Sequence, residues 1–80
     1  MSKRFVYPVI DMRATGVHLK ELLDERGITV QDVQEAMGFA SKQAVYHWLN
    51  GSNMPSVDNL YALSRYLNVQ MENVIVEKAA

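Results

Sequence analysis

The sequence contains no cysteine, so neither a disulfide framework nor a thiolate metal site is available, and the chain suits a reducing compartment. Its apolar runs are only a few residues long, far short of the ~20 that a membrane-spanning helix needs, and no hydrophobic segment follows Lys3 and Arg4 to make a signal peptide. A soluble, cytoplasmic protein without membrane contact is expected. His18 reads as an exposed or capping residue rather than a ligand, so no metal is expected. A nucleophile paired with a base and a phosphate-binding glycine loop are also missing, and 80 residues leave little room for a substrate pocket. Enzymatic activity, a cofactor and a small-molecule substrate are therefore not expected. An excess of positive charge is lacking too: eight Lys and Arg stand against nine Asp and Glu, for a net charge of −1. Composition alone does not suggest nucleic acid.

What is present centres on residues 30–51, which read as two short helices joined by a tight turn. Val33, Ala36 and Met37 recur on one helical face, with Gln31, Asp32, Gln34 and Glu35 between them. Gly38 follows where a helix C-terminus calls for positive φ, and Phe39 and Ala40 lead to Ser41, a good N-cap. Beyond Ser41, Val45, Trp48 and Leu49 share one side of the next helix, and Gln43, Tyr46, His47 and Asn50 share the other. A helix, a glycine-containing turn and a second helix with an outward polar face form the arrangement whose second member lies in the DNA major groove. Near-neutral charge permits this, because counterion release depends on the groups that neutralise phosphates. The acidic residues concentrate at 21–25 and 72–77, whereas Lys42 opens the second helix.

With the helix before it, the stretch 15–76 resembles the lambdoid-repressor (Cro/C1, or Xre) class of bacterial and phage DNA-binding domains. The resemblance rests on several motifs in register: Gly27-Ile28-Thr29, Gly38 in the turn, Val45 and Trp48, Asn50-Gly51, Pro55-Ser56, and Leu67-Asn68-Val69 followed by Met71-Glu72. It implies an all-α, four- to five-helix lambda-repressor-like domain acting as a sequence-specific transcriptional regulator. Two departures from the family pattern bear on its contacts. Val30 holds the place where helix two often has a phosphate-binding glutamine, with Gln31 next in line. The turn is also one residue longer than the commonest spacing, Ala40 being the extra one, so contact positions are aligned from Gly51 backward.

On that alignment Ser41, Lys42 and Gln43 fall where the resemblance puts the first groove contacts, with Tyr46 and His47 one turn on. The chemistry agrees. Gln43 carries the amide pair that binds adenine bidentately, Lys42 reaches guanine acceptors or a phosphate, and Tyr46 donates to phosphate or meets a thymine methyl. Base contacts are thus expected from Lys42, Gln43, Tyr46 and His47. Phosphate contacts are expected from Gln31, Ser41, Asn50, Gly51, Ser52 and Asn53, the exit loop offering main-chain N–H groups and polar side chains as it does in the family. The plain alternatives are a solvated helix face and an ordinary Asn-Gly turn. Trp48 reads as a core anchor.

Around this centre the chain divides into an extended arm at 1–14, the helix-turn-helix domain at 15–76 and a polar tail at 77–80. Pro8 bars a helix interior from the arm, and Phe5, Val6, Val9 and Ile10 are expected to cover the core or a neighbour, the alternative being that Lys3 and Arg4 reach DNA. Thr15 is the expected N-cap of a first helix running to about Arg26, with Val17, Leu19, Leu22 and Leu23 as its apolar side. Thr29 caps the second helix with Asp32 at the capping-box position. Ser56 caps a fourth helix that buries Leu60, Leu63, Ser64 and Leu67 and closes at Asn68, and a last short helix spans 71–74. The strand-like ends, 5–10 and 74–76, are expected to pair with each other or across a two-fold. A chain this small buries only ~60% of its unfolded surface, which makes a homodimer a reasonable expectation. The competing function is a protein-interaction module, antitoxin-like or adaptor, with little DNA affinity.

Overall fold

The computed structural model describes residues 4–79; Lys3 of the arm lies outside them. The chain runs through α1 (Met12–Glu25), α2 (Val30–Met37), α3 (Gln43–Leu49), α4 (Val57–Leu67) and a 3-10 turn at Met71–Asn73. No helix among the described residues is long and apolar enough to cross a membrane. Each helix contributes an apolar stripe to one core: Leu19, Leu22 and Leu23 from α1, Val33 from α2, Val45 and Trp48 from α3, and Leu60, Leu63 and Leu67 from α4, closed by Val74. Removing a leucine of this kind from water is worth about 1.5 to 3 kcal/mol.

The helix boundaries follow from short-range hydrogen bonds. The Thr29 hydroxyl accepts from the Asp32 N–H at 3.1 Å while the Asp32 carboxylate accepts from the Thr29 N–H at 2.9 Å, completing the expected capping box. Ser56 caps α4 by accepting from the Asn59 N–H at 3.2 Å, and Asn68 closes that helix in the left-handed region at φ +57°. Leu60, Leu63, Ser64 and Leu67 are buried as the spacing predicts.

The start of α1 departs from expectation. The helix begins at Met12, and its cap is Asp11, whose carboxylate accepts from the Ala14 N–H at 2.9 Å. Thr15 lies one turn inside, buried, and its hydroxyl accepts from the Val76 N–H at 2.9 Å. It is a tertiary clasp between α1 and the C-terminal segment. Thr15→Val keeps the shape but leaves the Val76 N–H without a partner, so a loss of about 1 to 3 kcal/mol is expected, seen as an earlier thermal melt. Val17 also leaves the core: it is 54% exposed and lines a shallow apolar cleft with Val30, Tyr46 and Leu49. Ala36 on α2 is exposed as well. Both match the helical period but sit at its edge, where no element of the domain reaches over them. His18 is half-buried rather than free, its Nε2 lying 2.7 Å from the Asn73 carbonyl and so tying α1 to the 3-10 turn.

The two chain ends meet. Ile10 forms an antiparallel bridge with Glu77, flanked by Asp11 N–H to Val76 carbonyl and Lys78 N–H to Val9 carbonyl, each at 2.8 Å. The intramolecular pairing of the ends is therefore present, and Glu77 and Lys78 of the polar tail take part in it. The arm does not cover the core. Phe5, Val6 and Tyr7 are 80%, 85% and 81% exposed, and Val9 and Ile10 are exposed too. The pairing runs through main chain at the rim, while Val74 and Ile75 close the core from beneath.

Candidate nucleic-acid interface

Residues 38–42 carry the chain from α2 to α3. Gly38 adopts φ +72°, a conformation that costs a side-chain-bearing residue energy, and its N–H returns to the Glu35 carbonyl at 3.2 Å. The Phe39 N–H donates to the Gln34 carbonyl at 3.0 Å, and the Gln34 side-chain amide donates to the Phe39 carbonyl at 3.2 Å. Phe39 then meets Trp48 edge-on, with ring centres 5.7 Å apart and planes at 74°. The turn is thus fastened to α2 by hydrogen bonds and to α3 by aromatic packing, which fixes how α3 is presented.

α3 starts one residue later than Ser41 as N-cap would place it. Lys42 is its N-cap, without a side-chain cap bond, and Ser41 makes only a long 3.4 Å contact with the Gln43 N–H. Seven residues at 1.5 Å each give a helix about 10 Å long, matched to a major groove about 12 Å wide.

The faces of α3 divide cleanly. Val45 and Trp48 are buried in the shared core, whereas Gln43 and Tyr46 are exposed and His47 is half-exposed. Gln43, Tyr46 and His47 stand at i, i+3 and i+4 and share one outward side. Among the described residues, Lys42 makes no ion pair. His47 is braced by Asn53, whose amide lies 3.4 Å from Nδ1.

The exit loop is more self-contained than expected. The Gly51 N–H donates to the Trp48 carbonyl at 3.3 Å, the Ser52 N–H to the Asn50 Oδ1 at 2.9 Å and the His47 carbonyl at 3.0 Å, and the Asn53 N–H to the His47 carbonyl at 3.2 Å. These main-chain donors are already in use, which leaves the Ser52 hydroxyl and the Asn50 and Asn53 amides to face a ligand. Gly51 has no donor to spare; its φ of +81° serves the turn. Gln31 is similarly engaged, its amide donating to the Glu35 carboxylate at 3.1 Å. At the N-terminus of α2 the N–H groups of Asp32 and Val33 are both paired to Thr29, and the Asp32 carboxylate adds negative charge there. The start of α2 is therefore a poorer anion site than its helix dipole alone implies.

α1, which the sequence presents as plain scaffold, sets the far end of this face. A Cβ on Gly16 would lie 2.4 Å from the Leu49 carbonyl oxygen and 2.6 Å from that of Trp48. One turn earlier, a Cβ on Gly51 would lie 2.8 Å from the Arg13 Cα. Two backbones thus touch where α3 ends. An isolated glycine in a helical pattern is the one sequence signal for such a contact, and it does not say what is approached.

The helix-turn-helix family model matches residues 19–73. No curated protein sequence matches the chain. Among solved structures, the chain is similar to the restriction-modification controller protein C.AhdI from Aeromonas hydrophila, with TM-score 0.72 and 20% identity over 80% of this chain and 96% of that one. It is also similar to the clp gene regulator ClgR from C. glutamicum, with TM-score 0.68 and 21% identity over 79% of this chain and 80% of that one. SinR, a master regulator for biofilm formation solved in complex with DNA, gives TM-score 0.66 and 21% identity over 75% of this chain and 95% of that one. At these identities the likeness concerns the fold.

Proposed function

The chain belongs to the helix-turn-helix family of DNA-binding transcriptional regulators, and from that premise we propose that it reads duplex DNA in the cytoplasm with the outward side of α3. The observation that supports this best is the division of α3 itself: Trp48 is 5% exposed and Tyr46 52%, so a buried anchor holds a polar face open to solvent. Gln43, Tyr46 and His47 are the base readers and Lys42 serves base or phosphate at the helix start. Ser41, Ser52, Asn50 and Asn53 hold phosphates through side chains and set the register without reading sequence. Gln31 joins them when its amide leaves Glu35. Two copies act together on a two-fold-related site, and the exposed arm is the apolar surface available for their contact.

Selection from a random-duplex pool tests the reading. Enriched sequences with two related half-sites about 10 base pairs apart are expected of a dimer. Gln43→Ala should then relax one position per half-site by about 1 to 3 kcal/mol and leave the others intact. A uniform loss on every sequence would remove Gln43 from base reading. Failure to retain any duplex at low salt would favour the protein-interaction reading, for which the exposed Phe5, Val6 and Tyr7 are the specific feature.

A further inference from the structure

The loop that follows the recognition helix, residues 50–54, carries no charged side chain, and its main-chain N–H groups at 51–53 are spent internally. Side-chain amides and a hydroxyl alone make a weak grip on a phosphodiester. Yet the fold brings a cation to this place from elsewhere in the chain. The Cβ position of Gly51 is 2.8 Å from the Arg13 Cα and 3.3 Å from the Arg13 Cβ, so the arginine stem emerges directly beside the loop. We infer that Arg13 is the charged phosphate ligand of the exit loop, gripping the DNA backbone at the end of α3 opposite Lys42.

Three further observations support the assignment. Arg13 is exposed and, among the described residues, makes no ion pair, whereas Lys20 is bound to Asp24 at 2.7 Å and Arg26 is held by the Leu67 carbonyl at 3.1 Å. Its free guanidinium offers the planar, multidentate donor set suited to phosphate. It also sits in the first turn of α1, which contains no acidic residue; the helix end itself is capped by the Asp11 carboxylate, so the charge offered to a phosphate is the guanidinium's own. Finally, Arg13 and Lys42 flank a helix about 10 Å long. Cations at the two ends of the reader would hold it between the backbones that border the groove, supplying locally the positive charge that the whole chain lacks.

The inference rests on the DNA-reading proposal, and the experiment separates the two. Binding of the full chain to a random 20-base-pair duplex is followed by fluorescence anisotropy across a salt series, for wild type, Arg13→Gln, Arg13→Lys and Arg65→Gln. Arg65, exposed on α4 beside Val69 and Gln70, is the comparison cation away from the loop. Arg13→Gln is expected to weaken binding several-fold at low salt, equally on random and selected duplexes, and to flatten the slope of log K against log salt by about 0.9 per protomer. Arg13→Lys should keep the slope, and Arg65→Gln should match wild type. An Arg13→Gln slope equal to wild type, with wild-type binding intact, overturns the assignment and spares the DNA reading. Wild type that shows no salt-dependent binding overturns both.

Discussion

Trp48→Ala should lower the chain's melting temperature by more than ~10 °C. The indole is 5% exposed, packs within the core that all four helices share and meets the Phe39 ring edge-on at 5.7 Å. Truncating a buried tryptophan costs about 3 to 5 kcal/mol, and at roughly 0.05 to 0.15 kcal/mol per residue a domain of this size has only about 4 to 12 kcal/mol of stability in total. The damage also falls on the turn between α2 and α3, since Phe39 loses the surface that seats it. Circular dichroism with thermal melting checks this. Trp48→Phe should keep a cooperative transition at lower temperature, and an alanine variant melting within a few degrees of wild type would show that the indole is not an anchor.

Gly16→Ala is the second large effect, and its sign separates local from tertiary reasoning. In an isolated helix the change adds about 1 kcal/mol of stability, because alanine is the best helix former and glycine among the poorest. Here the new methyl would stand 2.4 Å from the Leu49 oxygen and 2.8 Å from its carbonyl carbon. Backbone atoms of α3 cannot swing aside as a side chain would, so the two helices must separate. Overpacking of this kind costs about 1 to 3 kcal/mol, which for a domain of this length lowers the melting temperature by roughly 4 to 8 °C per kcal/mol. DNA affinity should fall as well, although no DNA-facing side chain is altered, because the end of α3 and the exit loop move with the displaced carbonyls. A variant that melts above wild type would mean that α1 and α3 do not approach so closely.

Much of the architecture could be read from local chemistry because its punctuation is local. Thr29 with Asp32, Gly38, Ser56 and Asn68 each act through bonds spanning a few residues, and each stands where the sequence puts it. Thr15 shows where that reading stops. A threonine before an apolar helical pattern suits a cap, but its partner is Val76, 61 positions away, and no window of sequence contains both. Val17 and Ala36 fail for a related reason: a 3.6-residue period tells which residues share a side, not whether another element arrives to cover them. Ser41 stands one residue ahead of the cap position, which Lys42 takes. The same division holds at the interface. The outward position of Gln43 and Tyr46 follows from their spacing relative to Val45 and Trp48, whereas Arg13 and Gly16 reach the end of α3 only through the packing of one helix on another. The main-chain donors at 51–53 could not be read as occupied either, because the loop folds back on the His47 and Trp48 carbonyls.

The clasp between the chain ends bears on the order of assembly. Bringing Thr15 to Val76 closes a loop of 61 residues, and the entropy of that closure must be met before any contact repays it. Helix pairs joined by connections of a few residues face a much smaller barrier. The helices are therefore expected to collapse first, with the β-bridge zipping shut afterwards. The reading surface would then be in place before the ends are fastened, and fraying at the bridge would be the gentlest way for the domain to begin to open.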